Sequence, residues 1–157
     1  MSIISDFGFV VNNNQEYQNI YDTIYTAIQY DHSNQYVCFA YNTNSITHRL
    51  NVPVLPISQC KFFNGKLWIS DTESLIISKG FTNINKIYFY AKDIPWLNTE
   101  ANYLYLNHLY GPTQNLSIIA KNQYIYNVYS NCWNNKPIGI MENITYENFK
   151  KTILDTE

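Results

Sequence analysis

Short apolar runs of strand length alternate with longer amphipathic segments along this chain, and several of the apolar runs end abruptly in polar residues. The run at 86–91, for example, is followed directly by Lys92 and Asp93 and then by Pro95 and Trp96. The predicted strands cover residues 7–11, 36–41, 67–69, 86–91, 116–120 and 137–141. Their nearly continuous apolar character is typical of strands that are buried on both faces of a parallel sheet.

Helical periodicity fills the intervals between these strands. Tyr17, Ile20, Tyr21, Ile24 and Ile28 recur at helical spacing and predict a first helix over 16–30. This stripe is interpreted as a core face, and a homodimer face is the alternative, because Tyr is common in interfaces.

The later helices are predicted from their capping residues. The segment 70–73 matches a capping box in which the Ser70 hydroxyl begins a helix that ends at Gly80. Asn122 and Thr145 are predicted to cap two more helices, the second continuing to about residue 154, and another helix is predicted over 99–109. The helix after Asn122 has an apolar stripe that includes Cys132.

The alternation of strands and helices predicts the fold class. It favours a single Rossmann-like α/β domain over 1–157, with a mostly parallel sheet and helices on both faces. Residues 52–57 are predicted to be a short extended segment broken by prolines. Asn64-Gly65 indicates either a hairpin or a turn that leads into a strand at 67–69.

The polar residues at the strand ends are the candidate binding groups, because open α/β sheets bind ligands at the carboxyl ends of their strands. Asp93 is the candidate catalytic base, with a turn or capping role as the alternative, and Trp96 is either a stacking platform or a plug for the sheet edge. Asn122, an ordinary helix cap in the alternative interpretation, lies beside Lys121, where a helix start can hold an anion. The candidate ligand-binding residues are Asn12, Asn13, Asn42, Asp71, Trp96, Lys121, Asn122 and Glu142.

Composition and charge narrow the classes of function. The chain has 157 residues and a net charge of -2, which gives no strong nucleic-acid or membrane signal. The N-terminal residues do not resemble a signal peptide, and no run approaches the length of a membrane span. Cys38 and Cys132 are expected to be buried thiols in a reducing compartment. These features predict a cytoplasmic protein.

The standard cofactor and nucleophile motifs are missing. The sequence has no GxGxxG after the first strand, no GxxxxGK[ST] and no GxSxG. The three histidines and three cysteines are scattered, so neither a metal site nor a bound cofactor is expected.

A set of aromatic and apolar segments runs through the rest of the chain: CKFFNGKLWISD at 60–71, KIYFYAKDIPWL at 86–97, LSIIAKN at 116–122, NCWN at 131–134 and PIGIMEN at 137–143. Over roughly residues 55–154 the chain resembles tailed-phage glycosyltransferase-like proteins. It is similar to the N-terminal Rossmann-like half of a GT-B glycosyltransferase. A phage origin implies the host cytoplasm as its location.

The resemblance implies an acceptor or a nucleotide-sugar at the sheet edge, with Asp93 as the base and with Lys121 and Asn122 as polar contacts. GT-B enzymes form their active site between two such domains, and this chain is long enough for one. A homodimer or a second chain would therefore complete the cleft. The alternatives are a non-enzymatic phage accessory protein that binds a protein partner or a small nucleotide, and a homo-oligomeric structural protein.

Overall fold

The fold is an α/β sandwich built on one seven-stranded parallel sheet. The computed structural model describes residues 2–3, 5–12, 17–45, 51–98 and 102–155. The strands are β1 (Phe7–Val11), β2 (Tyr36–Ala40), β3 (Val54–Pro56), β4 (Lys66–Ile69), β5 (Lys86–Ala91), β6 (Leu116–Ala120) and β7 (Gly139–Ile140). Their order across the sheet is β3-β2-β1-β4-β5-β6-β7, and every neighbouring pair is parallel.

Helices cover both faces of the sheet, as the alternating pattern predicts. They are α1 (Gln18–Tyr30), α2 (Thr72–Lys79), α3 (Tyr103–Tyr110), α4 (Gln123–Trp133) and α5 (Tyr146–Phe149), which continues into a π-helical turn at Lys150–Leu154. One core lies between the sheet and α1 with α5, and the other lies between the sheet and α2, α3 and α4. This arrangement confirms the predicted Rossmann-like fold class.

The apolar stripe of α1 lies in the first of these cores. Ile20, Tyr21 and Ile24 are buried against the sheet together with Tyr17. The interpretation of the stripe as a core face is therefore confirmed, and these residues are not available as a homodimer face.

Several element boundaries differ from the predictions. The cap of α2 is Asp71 rather than Ser70, because the Asp71 carboxylate accepts the Ser74 backbone N–H at 2.7 Å while Ser70 is buried. Helix α3 begins at Tyr103 behind its cap Asn102, and residues 99–101 lie outside the described part of the chain. The last strand is two residues long instead of the predicted 137–141.

The two ambiguous segments are also resolved. Asn64-Gly65 forms the turn into β4, not a hairpin, since β4 pairs in parallel with β1 and β5. The extended segment around Pro53 and Pro56 forms the edge strand β3, where a proline costs no interior hydrogen bond.

The cysteines differ in exposure, which gives a direct chemical test. Cys38 and Cys60 are buried, and burial raises the pKa of each thiol to about 12. Cys132 is exposed, so the prediction that it is buried is wrong. At about pH 8 we expect a thiol reagent to label Cys132 quickly and the two buried thiols only after unfolding. Labelling of all three thiols at the same rate in the native protein would contradict the packing, and Cys132→Ser should remove the fast phase.

The described helices include none with both the length and the apolar composition that crossing a bilayer requires.

Candidate functional site

The carboxyl edge of the sheet contains a crevice where the chain reverses direction across the strand order. From β1 the chain proceeds to β2 and β3 on one side, and it then returns to β4 on the other side of β1. In open parallel sheets this reversal separates the loops that follow the two central strands and leaves a crevice beside them. The fold therefore locates a candidate site at the ends of β1 and β4.

A cleft of about 320 Å³ occupies this edge and extends towards β7. Its polar lining comes from the start of α1 and from the ends of β4 to β7. The polar lining residues are Asn19, Ser70, Lys92, Lys121, Glu142 and Asn143. Tyr17 and Tyr90 form part of its aromatic wall.

Two lysines lie side by side in the cleft because of the strand register. Ala91 ends β5 and Ala120 ends β6, and these two residues are partners across the parallel pair. Lys92 and Lys121 follow them directly, and the Lys121 backbone N–H donates to the Ala91 carbonyl at 3.0 Å. Among the described lining residues, these two lysines accompany a single carboxylate, that of Glu142.

Tyr90 forms a rigid, neutral wall of the cleft. Its hydroxyl donates to the Met141 carbonyl at 2.7 Å, which holds the segment after β7 against β5. Its ring stacks on Trp68 at a centroid distance of 5.6 Å. Burial raises the pKa of Tyr90 to about 12, so the phenol stays protonated at neutral pH and donates its hydrogen bond to the main chain.

A carboxylate network fixes the opposite end of the cleft. One Asp71 oxygen accepts the Tyr17 hydroxyl at 2.8 Å and the Ser74 hydroxyl at 2.9 Å. The other oxygen accepts the Ser74 backbone N–H. Asp71 therefore connects the start of α1 to the start of α2, and its contacts position Tyr17 at the cleft.

Of the predicted site residues that the structure describes, Lys121 and Glu142 are the two that line the cleft. Asp93 is exposed and does not line it, and the Asp93 carbonyl accepts the Tyr129 hydroxyl at 3.3 Å on the side of the sheet that carries α4. Asn122 caps α4 by accepting the Ile125 backbone N–H at 2.9 Å.

The remaining predicted residues lie elsewhere. Trp96 packs against Trp133 and Tyr129, at centroid distances of 5.1 and 5.0 Å, on the side of the sheet that carries α4. Asn12 and Asn42 follow β1 and β2 and are exposed, and Asn13 lies outside the described residues.

Lys92 is the main cleft residue that the sequence predictions missed. Side chains alternate between the two faces of a strand, so Lys92 lies on the face of Tyr90, whereas Asp93 lies on the face of Phe89. The alternation of side chains along β5, starting from the buried Tyr90, is the sequence signal that favours Lys92 over Asp93. Asn143 carries the same strand-end signal as Glu142, which it follows directly, whereas Asn19 carried no comparable signal.

Comparisons with protein-family models, with curated proteins and with solved structures found no match to this chain. Within the described ranges, no group of three His, Cys, Asp or Glu side chains is placed to hold a metal ion.

Proposed function

We propose that this domain binds a small phosphorylated sugar, of the nucleotide-sugar class, in the cleft at the carboxyl edge of the sheet. It would act as one half of a glycosyltransferase-like assembly. The observation that carries the proposal is the pairing of Lys92 and Lys121 at the ends of two adjacent strands. Paired ammonium groups beside amide and hydroxyl groups suit a ligand that combines phosphate charge with sugar hydroxyls.

The size of the cleft favours a partial site. Its volume of about 320 Å³ is near the lower limit of small-molecule sites, which span roughly 300–1,000 Å³. A phosphosugar moiety fits this space, and the rest of a nucleotide-sugar would extend beyond it. A second domain, from another chain or another copy, would then enclose the remainder.

The lining residues have distinct roles in this proposal. Lys92 and Lys121 neutralise the phosphate groups, and in a transfer reaction they would stabilise the charge of the leaving diphosphate. Glu142 and Asn143 provide hydrogen-bonding groups for sugar hydroxyls. Asp93 remains the predicted base for an acceptor, and because it lies outside the cleft the geometry supports binding more strongly than transfer.

Calorimetric titration with UDP-, GDP- and ADP-sugars tests the proposal. We expect one of these ligands to bind, and we expect Lys92→Gln and Lys121→Gln each to weaken it by roughly tenfold to a hundredfold, as the loss of a charged hydrogen bond does. Lys136→Gln removes an exposed lysine outside the cleft and should leave the affinity unchanged.

An Asp93→Asn variant separates ligand binding from sugar transfer, and two binding results would contradict the proposed function. Asp93→Asn should bind the ligand normally, and it should lose any transferase activity if Asp93 is the base. If no nucleotide-sugar binds, or if the two cleft variants bind as well as the Lys136→Gln control, the proposed function is wrong.

A further inference from the structure

A second cleft lies at the amino edge of the sheet, where β4, β5 and β6 begin. Its volume is about 440 Å³, and the polar groups in its lining include Lys66, Asn85, Lys86, Gln114 and Ser117. The described lining residues include no Asp or Glu. The proposed function does not involve this region.

Lys66 and Lys86 are paired across this cleft by the strand register. They are the first residues of β4 and β5, and they are direct partners in the parallel ladder. Partners in neighbouring strands lie on the same face, about 4.8 Å apart at the main chain. Both side chains are partly buried. The register therefore brings two lysine side chains together on one face at this edge of the sheet.

The remaining groups supply hydrogen-bond donors on the same face. Ser117 is the register partner of Tyr88, it is only 8% exposed, and it lines the cleft. Burial raises the pKa of Tyr88, so its phenol is neutral. The Asp6 carboxylate, at the neighbouring strand start, accepts the Gln35 backbone N–H at 2.7 Å and does not line the cleft.

The two clefts are separate sites. Lys86 and Lys92 lie at opposite ends of β5 on one face, and six residues of extended chain span about 20 Å. The described residues of the two linings have no member in common.

We propose that the amino-edge cleft is a second anion site, which binds a small phosphate group between Lys66 and Lys86. The donors at hand, two ammonium groups with the Ser117 hydroxyl and the Asn85 and Gln114 amides, match the several acceptor oxygens of a phosphate. The group would be inorganic phosphate or the phosphate of a small ester, and this inference does not depend on the proposed function.

Titration with inorganic phosphate, at an ionic strength held constant with sodium chloride, tests this proposal. Lys92→Gln/Lys121→Gln, which removes the lysines of the other cleft, should retain the amino-edge component of phosphate binding. Adding Lys66→Gln/Lys86→Gln to that variant should abolish it. Each single amino-edge variant should weaken that component by roughly tenfold or more. A parallel titration with glycerol 3-phosphate shows whether the site prefers a phosphate ester or free phosphate, because the preferred ligand binds more tightly.

The possible outcomes separate this proposal from the preceding one. Phosphate binding by Lys92→Gln/Lys121→Gln that survives the addition of Lys66→Gln/Lys86→Gln overturns the amino-edge site whatever the nucleotide-sugar result. The absence of phosphate binding from Lys92→Gln/Lys121→Gln overturns it equally. Circular dichroism melting checks that the combined variant is folded, and Lys66→Gln or Lys86→Gln alone in the Lys92→Gln/Lys121→Gln protein provides the same test if it is not.

Discussion

A Phe149→Ala variant is expected to lose about 3–5 kcal/mol of its free energy of unfolding. Phe149 is fully buried and ends the short helix α5. Its ring centroid lies 5.1 Å from that of Phe7, 5.5 Å from that of Phe9 and 6.1 Å from that of Trp68. Truncation would leave a cavity between α5 and the sheet and remove the main aromatic attachment of this helix.

Urea unfolding followed by circular dichroism measures this loss. Tyr124→Ala is the matched control, since that aromatic side chain is 65% exposed and its removal should change stability by less than about 0.5 kcal/mol. Domains of this size have a total stability of about 5–15 kcal/mol, so the Phe149→Ala effect is a large fraction. A loss similar to that of the control would show that α5 does not pack as described.

Gly65→Ala is expected to destabilise the protein by about 1–3 kcal/mol or more, through overpacking. A Cβ atom at Gly65 would lie 2.6 Å from the ring of Phe63, 2.7 Å from the Asp6 carbonyl oxygen and 2.8 Å from that of Ser5. Two of these atoms belong to the main chain, and the Asp6 carbonyl already accepts the Lys66 N–H at 3.1 Å. The turn therefore has little freedom to move away from a methyl group.

Gly139→Ala provides the comparison for this effect. There the nearest atom to a new Cβ is a Thr152 methyl carbon at 3.7 Å, which is an ordinary contact. We expect that variant to be neutral or more stable by up to about 1 kcal/mol, through reduced freedom of the unfolded chain. Equal midpoints for the two variants in thermal unfolding would contradict the close approach at Gly65.

The order and class of the elements were predictable because each depends on local pattern. Continuous apolar runs such as 86–91 predict buried strands, and Asn122 and Thr145 cap their helices as expected. The side of a helix that is buried was less predictable. In α4 the buried residues are Ile125, Tyr129 and Trp133, and the large Trp133 ring packs on Trp96, which leaves Cys132 on the outside.

The candidate site was predictable at the level of the sheet edge but not of the individual residues. Polar strand ends indicate the edge, and Lys121 and Glu142 line the cleft there. Consecutive side chains lie on opposite faces of a strand, so two neighbouring polar residues do not both lie in the cleft. After β5, the one that lies in the cleft is Lys92 and not Asp93. Asn19 contributes through the packing of α1, and such a long-range contact leaves no local pattern.

The three tryptophans are divided between the two faces of the sheet, and this gives the protein separate fluorescent reporters. Trp68 lies in the core beneath α1 and α5 and stacks on Tyr90, whose side chain lines the carboxyl-edge cleft. Trp96 and Trp133 belong to the opposite side. A molecule that enters this cleft thus changes the surroundings of the Trp68 indole through the Tyr90 ring. The emission of Trp96 and Trp133 serves as an internal reference.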